Sequence, residues 1–245
     1  MQKVFITQPF NYGKPLIIIC KYSCLCQCLI KKQSTALLLL FVLCFSVAGW
    51  IAADGLGLTE KLLNKISEIY GTEAKDRLLE WQSVVYNNNN VGDEKKLEIV
   101  NTFFNKAQFL NDIDHWEKED YWATPVEFLS TNGGDCEDFS IAKYFTLREM
   151  GVPVEKMRIM YVKAIELNQA HMVLTYYPSP DAEPVILDNL INEIKLASSR
   201  EDLVPVYSFN ADGLWLAKER GKGRRVGSSK RIKLWQDLGL RIKNQ

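Results

Sequence analysis

Gly133-Gly134-Asp135-Cys136-Glu137-Asp138-Phe139 is the stretch on which the reading of this chain turns. Two glycines precede a cysteine set among three acids, and a segment with helical apolar spacing continues from it. Cys136 is the only cysteine beyond residue 53; Cys20, Cys24, Cys26, Cys28 and Cys44 all lie upstream. A single thiol forms no intramolecular disulfide and no multi-cysteine zinc site. It is left as a small buried hydrophobe or as a nucleophile. At a helix start it meets unpaired backbone N–H groups and the positive dipole end, which favour a thiolate and can hold an oxyanion. The glycines are expected to let the chain turn sharply and leave the thiol approachable.

Far upstream, residues 36–47 form an apolar run after Lys31-Lys32, followed by the small residues Ala48-Gly49 and Ala52-Ala53. Residues 1–53 therefore read as a secretory signal peptide cleaved near 48 or 53. The run is shorter than the ~20 residues of a spanning helix, although an uncleaved anchor is the alternative. Residues 54–245 hold 25 basic and 30 acidic residues, a net of about −5. That balance gives no reason to expect nucleic acid as a partner, and no membrane span is expected once the signal is removed.

Between the signal and the glycines, three amphipathic helical patterns are predicted, over 59–70, over 72–85 with Ala74, Leu78, Trp81 and Val85, and over 93–110. Thr72 and Asp93 are expected as caps, and 54–111 as an N-terminal helical lobe. A polar and aromatic loop, with at most a turn of helix, follows to Pro125. Past the cysteine, 137–150 is helical and apolar on more than one side, as in a helix buried within a domain. Strands are predicted over 157–164, 170–177 and 184–188, with two more near 206–209 and 233–238 flanking a basic loop. The fold class is α+β: N-terminal helices, then a helix packed on an antiparallel sheet.

A nucleophilic thiol needs a base, and the chain has two histidines. His171 opens a strand in which His171, Val173 and Thr175 alternate with Met172, Leu174 and Tyr176. A polar ring at that position can project toward the helix packed over the sheet. Asp188 closes the next strand and would lie beside His171 in a hairpin, where a carboxylate fixes the imidazole tautomer. His115, among Asp112, Asp114, Glu117 and Glu119, reads as a solvated surface residue.

Together with Trp122-x-Thr124-Pro125-x-Glu127-x-Leu129, Lys143-Tyr144 and Leu187-Asp188-Asn189, these blocks resemble the bacterial transglutaminase-like cysteine proteases of the LapG type. The resemblance spans nearly all of 54–245. It implies a papain-like, transglutaminase-like core with Cys136 as nucleophile, His171 as base and Asp188 as orienting acid. It further implies a periplasmic endopeptidase that cuts a large surface adhesin near its N-terminus at a di-alanine sequence, releasing biofilm. The implied partner is a LapD-type inner-membrane receptor for cyclic di-GMP that sequesters the protease.

The acids beside the thiol argue against reactivity, since negative charge raises a thiol's pKa. One account is that they stabilise the first helical turn. Another is a cation: if 135–137 are extended, Asp135 and Glu137 project to one side and Cys136 to the other. Two carboxylates with carbonyls and waters can then hold Ca²⁺, which takes about 6–8 oxygens. No EF-hand spacing is present, and it is the LapG resemblance that points to calcium at Asp135 and Glu137.

Two other functions remain: acyl transfer to an amine through the same thioester intermediate, and a non-catalytic calcium-dependent binding module that keeps the fold, against which the intact Cys136, His171 and Asp188 argue. The resemblance also suggests a substrate pocket walled by bulky residues, for which Tyr121, Trp122 and Trp215 are candidates. A basic run, Lys218, Arg220, Lys222, Arg224, Arg225, Lys230 and Arg231, reads as a solvated hairpin loop or a docking surface for an acidic partner.

Overall fold

The computed structural model describes residues 54–216 and 223–245. The predicted signal segment and Lys218, Arg220 and Lys222 lie outside the described residues. Among those described, no helix is long and apolar enough to cross a membrane.

Helices α1 (Glu60–Tyr70) and α2 (Thr72–Asn88) form where the apolar stripes predict them, while α3 (Asp93–Phe104) stops short of the predicted 110, because Asn105 caps it and Gln108–Phe109 leave the helix to pair as a strand. Thr72 and Asp93 are the first helical residues rather than the caps, a shift of one place. Gly71, at φ 88°, makes the tight passage from α1 to α2. The stripe Ala74, Leu78, Trp81 and Val85 is buried, and Trp81 Nε1 donates to Thr146 Oγ1 at 2.8 Å, fastening α2 to the central helix.

Strand β1 (Gln108–Phe109) pairs in parallel with β2 (Gly133–Gly134). Between them lie α4 (Asp112–Trp116), the expected turn of helix, and α5 (Pro125–Thr131), which was not anticipated. Thr124 starts α5 through a capping box: its Oγ1 accepts the Glu127 N–H at 3.2 Å, and Glu127 Oε2 accepts the Thr124 N–H at 2.7 Å. Pro125 occupies the first turn, where no N–H is needed.

The central helix α6 (Cys136–Glu149) is surrounded, with Phe139, Ile141, Ala142, Tyr144 and Leu147 all buried. It packs between α3 and α5 and an antiparallel sheet of order β6-β5-β4-β3-β7-β8-β9. The strands are β3 (Met157–Ala164), β4 (Gln169–Tyr176), β5 (Val185–Leu187), β6 (Lys195–Leu196), β7 (Leu203–Phe209), β8 (Leu214–Leu216) and β9 (Arg224–Gly227). In β4 the alternation holds. Met172, Leu174 and Tyr176 enter the helical core, while Val173 joins Met160, Val162 and Ile186 in a smaller cluster.

One strand is corrected: 233–238 belongs to helix α7 (Lys233–Lys243). Six residues are too few to show a period, but carried on to 242 Leu234, Trp235, Leu238 and Ile242 recur at helical spacing and pack on the core. Trp235 meets Tyr144 and Phe145 at centroid distances of 5.7 and 5.5 Å. The described part of the basic run is also ordered differently from a plain loop. Arg224 and Arg225 lie on the edge strand β9, and Lys230 and Arg231 in a 3₁₀ turn (Ser229–Arg231).

Candidate active site

Cys136 is the first residue of α6, with Asp135 as its extended N-cap. The two glycines before it do not turn the chain, since neither has a positive φ. They permit close packing. A Cβ on Gly133 would stand 2.5 Å from the Gln108 carbonyl oxygen, and one on Gly134 would collide with the Asp138 side chain. Because the helix starts at Cys136, residues 135–137 are not the extended tripeptide expected. The thiol and Glu137 turn toward each other, and Sγ donates to Glu137 Oε2 at 2.9 Å. Burial pushes the thiol's pKa far up, and the charge and hydrogen bond of Glu137 and the charge of Asp135 add to the shift. A backbone hydrogen bond from Met172 opposes it. In the bare protein this thiol is held protonated.

His171 and Cys136 line one cleft of about 560 Å³. By parity His171 belongs with Val173, on the face turned from the helical core, rather than under α6. It reaches the cleft because it stands near the end of β4, where residues 169–172 all line the same wall. Its Nε2 lies 2.8 Å from Asp188 Oδ1. Leu174 faces Leu187 in the β4–β5 register, so Asp188 falls opposite Val173 and diagonal to His171 on the same face. Burial opposes ionisation of Asp188, but hydrogen bonds from His171, the Leu190 N–H and Arg200 outweigh it and hold the carboxyl down to about 2. An ionised carboxylate only accepts, so Nε2–H donates to Asp188 Oδ1, and in the neutral ring Nδ1 is the nitrogen that carries the lone pair. The Asn105 amide of the α3 C-cap donates to the Asp188 carbonyl at 2.8 Å, pinning the backbone from the helical side.

A second group of side chains surrounds the helix start. Ligand-capable oxygens of Asp112, Asp135 and Asp138 lie within 4.8 Å of one another, as do those of Asp112, Asp120 and Glu137. Asp112 Oδ1, Asp135 Oδ1 and Asp138 Oδ2 are buried without a hydrogen-bond partner. Burial, reinforced by neighbouring acids, raises Asp112 to about 6 and Asp135 to about 10, and it pushes Asp138 well above the carboxylate range. Orphaned oxygens and acids that raise one another's pKa fit a hard cation with oxygen ligands. Asp135 and Glu137 were legible in sequence. Asp112 and Asp120 were not, because the first turn of α4 and the irregular loop after it bring them in; that loop is held by bonds from the Tyr121 N–H to Asp112 Oδ2 at 2.5 Å and from the Ala123 N–H to Asp138 Oδ1 at 2.6 Å.

Of the predicted pocket walls, Trp122 lines the cleft, stacked on Phe209 at 5.5 Å and 11°. Tyr121 instead bonds Glu127 and Arg241, and Trp215 lies under the Arg158 guanidinium on β8, both outside the cleft lining. Tyr161 and Tyr207, stacked at 5.0 Å, supply the wall the sequence did not reveal. His115 is partly buried rather than solvated, 3.0 Å from Thr131 Oγ1 and edge-on to Trp116.

An α+β core with a thiol at the head of its central helix, and a histidine–carboxylate pair on the facing sheet, defines a papain-like or transglutaminase-like cysteine enzyme. Residues 75–217 match the family model of the bacterial transglutaminase-like cysteine proteinases, BTLCP, and the chain belongs to that family. It is similar to LapG of Legionella pneumophila at 44% identity, covering 74% of this chain and 97% of that one, with a TM-score of 0.63. An EGTA-treated form of that protein superposes with a TM-score of 0.64 and a calcium-bound form with 0.62, each at 44% identity over 74% of this chain and over 97% and 98% of theirs. Among curated proteins none matches. The chain is a bacterial transglutaminase-like cysteine protease.

Proposed function

We propose that this chain is a calcium-dependent periplasmic endopeptidase whose catalytic residues are Cys136, His171 and Asp188. The observation that carries the reading is the buried His171–Asp188 pair at the wall of the cleft that holds the lone thiol. His171 Nδ1, left with its lone pair, takes the thiol proton as Sγ attacks a peptide carbonyl. The Cys136 backbone N–H, unpaired at the helix start, is placed to receive the developing oxyanion. The imidazolium, stabilised by Asp188, then gives its proton to the leaving amine, and water releases the thioester.

The residues that would hold the cation are Asp135 and Glu137, joined by Asp112, Asp120 and Asp138. Bound there, calcium supplies positive charge beside Glu137 and relieves the acid that keeps the thiol protonated. Calcium-bound and EGTA-treated forms of the Legionella relative support calcium as the metal.

The substrate, on the same reading, is a large surface adhesin cut near its N-terminus at a di-alanine sequence, with biofilm release as the outcome. A LapD-type cyclic di-GMP receptor is the sequestering partner, and Arg224 and Arg225 on the exposed edge strand are where an acidic partner would dock. N-terminal fragments of candidate surface proteins are to be incubated with the protein, the products sequenced, and an amine acceptor added in parallel. Two fragments meeting at Ala-Ala support the proposal. Amine incorporation without cleavage favours acyl transfer, and a cellular effect that survives Cys136→Ala favours a binding module.

A further inference from the structure

Arg200 lies in the segment between β6 and β7, where the sequence marks nothing, and it is nearly as buried as Asp188. Its Nη2 donates to Asp188 Oδ2 at 2.8 Å. Nε and Nη2 also grip Asp202, at 2.9 Å to Oδ1 and 2.7 Å to Oδ2. We propose that Arg200 is a positioning residue, fixing the Asp188 carboxylate so that Oδ1 meets His171, while Asp202 fixes Arg200. The inference rests on the triad reading above and deepens it.

Three observations carry it. Both partners of Asp188 Oδ1, His171 Nε2 and the Leu190 N–H, sit on one oxygen, so they leave the carboxylate free to rotate. Arg200 occupies the second oxygen and removes that freedom. A stability role accounts for the arrangement poorly, because buried ion pairs commonly gain little over apolar packing. Here the guanidinium also leaves Nη1 buried without a partner, a further cost. Finally, a cavity of about 490 Å³, lined by Met160, Val162, Ile186 and Leu203, opens beside Arg200. Packing on that side does not lock the side chain, and the two-point grip of Asp202 does. Lys143, buried in α6, is another cation whose charge acts on Asp188, but Arg200 is bonded to it directly.

The test uses the calcium-loaded protein with Arg200→Met, Arg200→Lys and Asp202→Asn. Turnover is measured on a cleavable fragment, and the downfield proton resonance of His171 Nε2–H is recorded by NMR. With two histidines in the chain, a His115→Gln control assigns the resonance. Arg200→Met is expected to lower kcat on the order of 10- to 100-fold, with KM within about twofold, and to lose the resonance to exchange. Arg200→Lys should recover kcat to within about tenfold of wild type and regain the resonance, since it restores a donor to Oδ2. A folded Arg200→Met with wild-type kcat and an unchanged resonance overturns the proposal. So does a kcat loss shared equally by the Lys variant with the resonance kept. If Arg200→Met does not fold, Asp202→Asn decides, because Asp202 is partly exposed: a few-fold kcat loss with a broadened resonance supports the proposal, and no change in either overturns it. Full activity of Asp188→Asn would instead sink the triad reading, which separates the two failures.

Discussion

Cys136 Sγ donates to Glu137 Oε2 at 2.9 Å, so the neighbouring acid adds to burial in keeping the thiol protonated. Calcium at the acid cluster is therefore expected to act on the thiol itself. As Cys136 is the only thiol beyond residue 53, iodoacetamide labelling of the 54–245 chain reports on it alone. At neutral pH, chelation should slow labelling at least about tenfold, and Glu137→Gln should label faster than wild type in chelator. Equal rates for the two proteins in chelator would show that Glu137 does not govern the thiol.

The orphaned oxygens of Asp112, Asp135 and Asp138 predict that calcium stabilises the fold as well as the site. At a free concentration of a hundred times Kd the gain is about 2.7 kcal/mol, which raises the melting temperature of a domain this size by roughly 5–10 °C. Asp112→Asn should weaken calcium binding at least about tenfold by calorimetry. Wild-type affinity in that variant would remove Asp112 from the ligand set.

Carboxyls in this protein pull stability in opposite directions with pH. Asp188, held at about 2 against its ordinary 3.8, contributes stability that is complete above the unfolded value and lost as pH falls through about 2. That contribution is about 2 kcal/mol. Asp112, raised to about 6, and Asp135, raised to about 10, act the other way in metal-free protein. Their contribution is complete below the unfolded value and is lost as pH rises through those raised values. Urea unfolding in chelator should therefore show stability increasing as pH is lowered from about 7.5 to about 5, and saturating calcium should abolish the increase. Metal-free stability that is flat or falling over that window contradicts the assignment.

Gly134 has no room for a side chain because the Asp138 side chain lies against it. Gly134→Ala should displace Asp138 and with it the bond to the Ala123 N–H, costing about 1–3 kcal/mol of stability and lowering calcium affinity. Wild-type melting temperature and calcium binding in this variant would mean the contact is dispensable.

Much of this architecture was legible because periodicity is a local signal. The stripe Ala74, Leu78, Trp81, Val85 and the alternation of β4 each follow from burial of one face. Cys136, His171 and Asp188 stood out for a similar reason: a lone thiol and few histidines leave little choice. Helix α7 was misread because six residues cannot separate a strand from a helix when Leu234 and Trp235 are adjacent and Gly239 interrupts the pattern. Helix α5 carried its own signal, Thr124-Pro125-Val126-Glu127, which reads as a capping box once it is taken as a helix start. Arg200, Asn105, Asp112 and Asp120 were beyond reach, since each is brought to the site by loop or helix-end geometry that no local pattern encodes.

The most direct test of the account is the rate of fragment cleavage as a function of free calcium, with metal-stripped enzyme verified by elemental analysis and Cys136→Ala as the blank. The account predicts no cleavage by metal-stripped enzyme, recovery of full activity as calcium is restored, and none at any calcium concentration for Cys136→Ala. Full activity of the metal-stripped enzyme, or cleavage by Cys136→Ala, would contradict it.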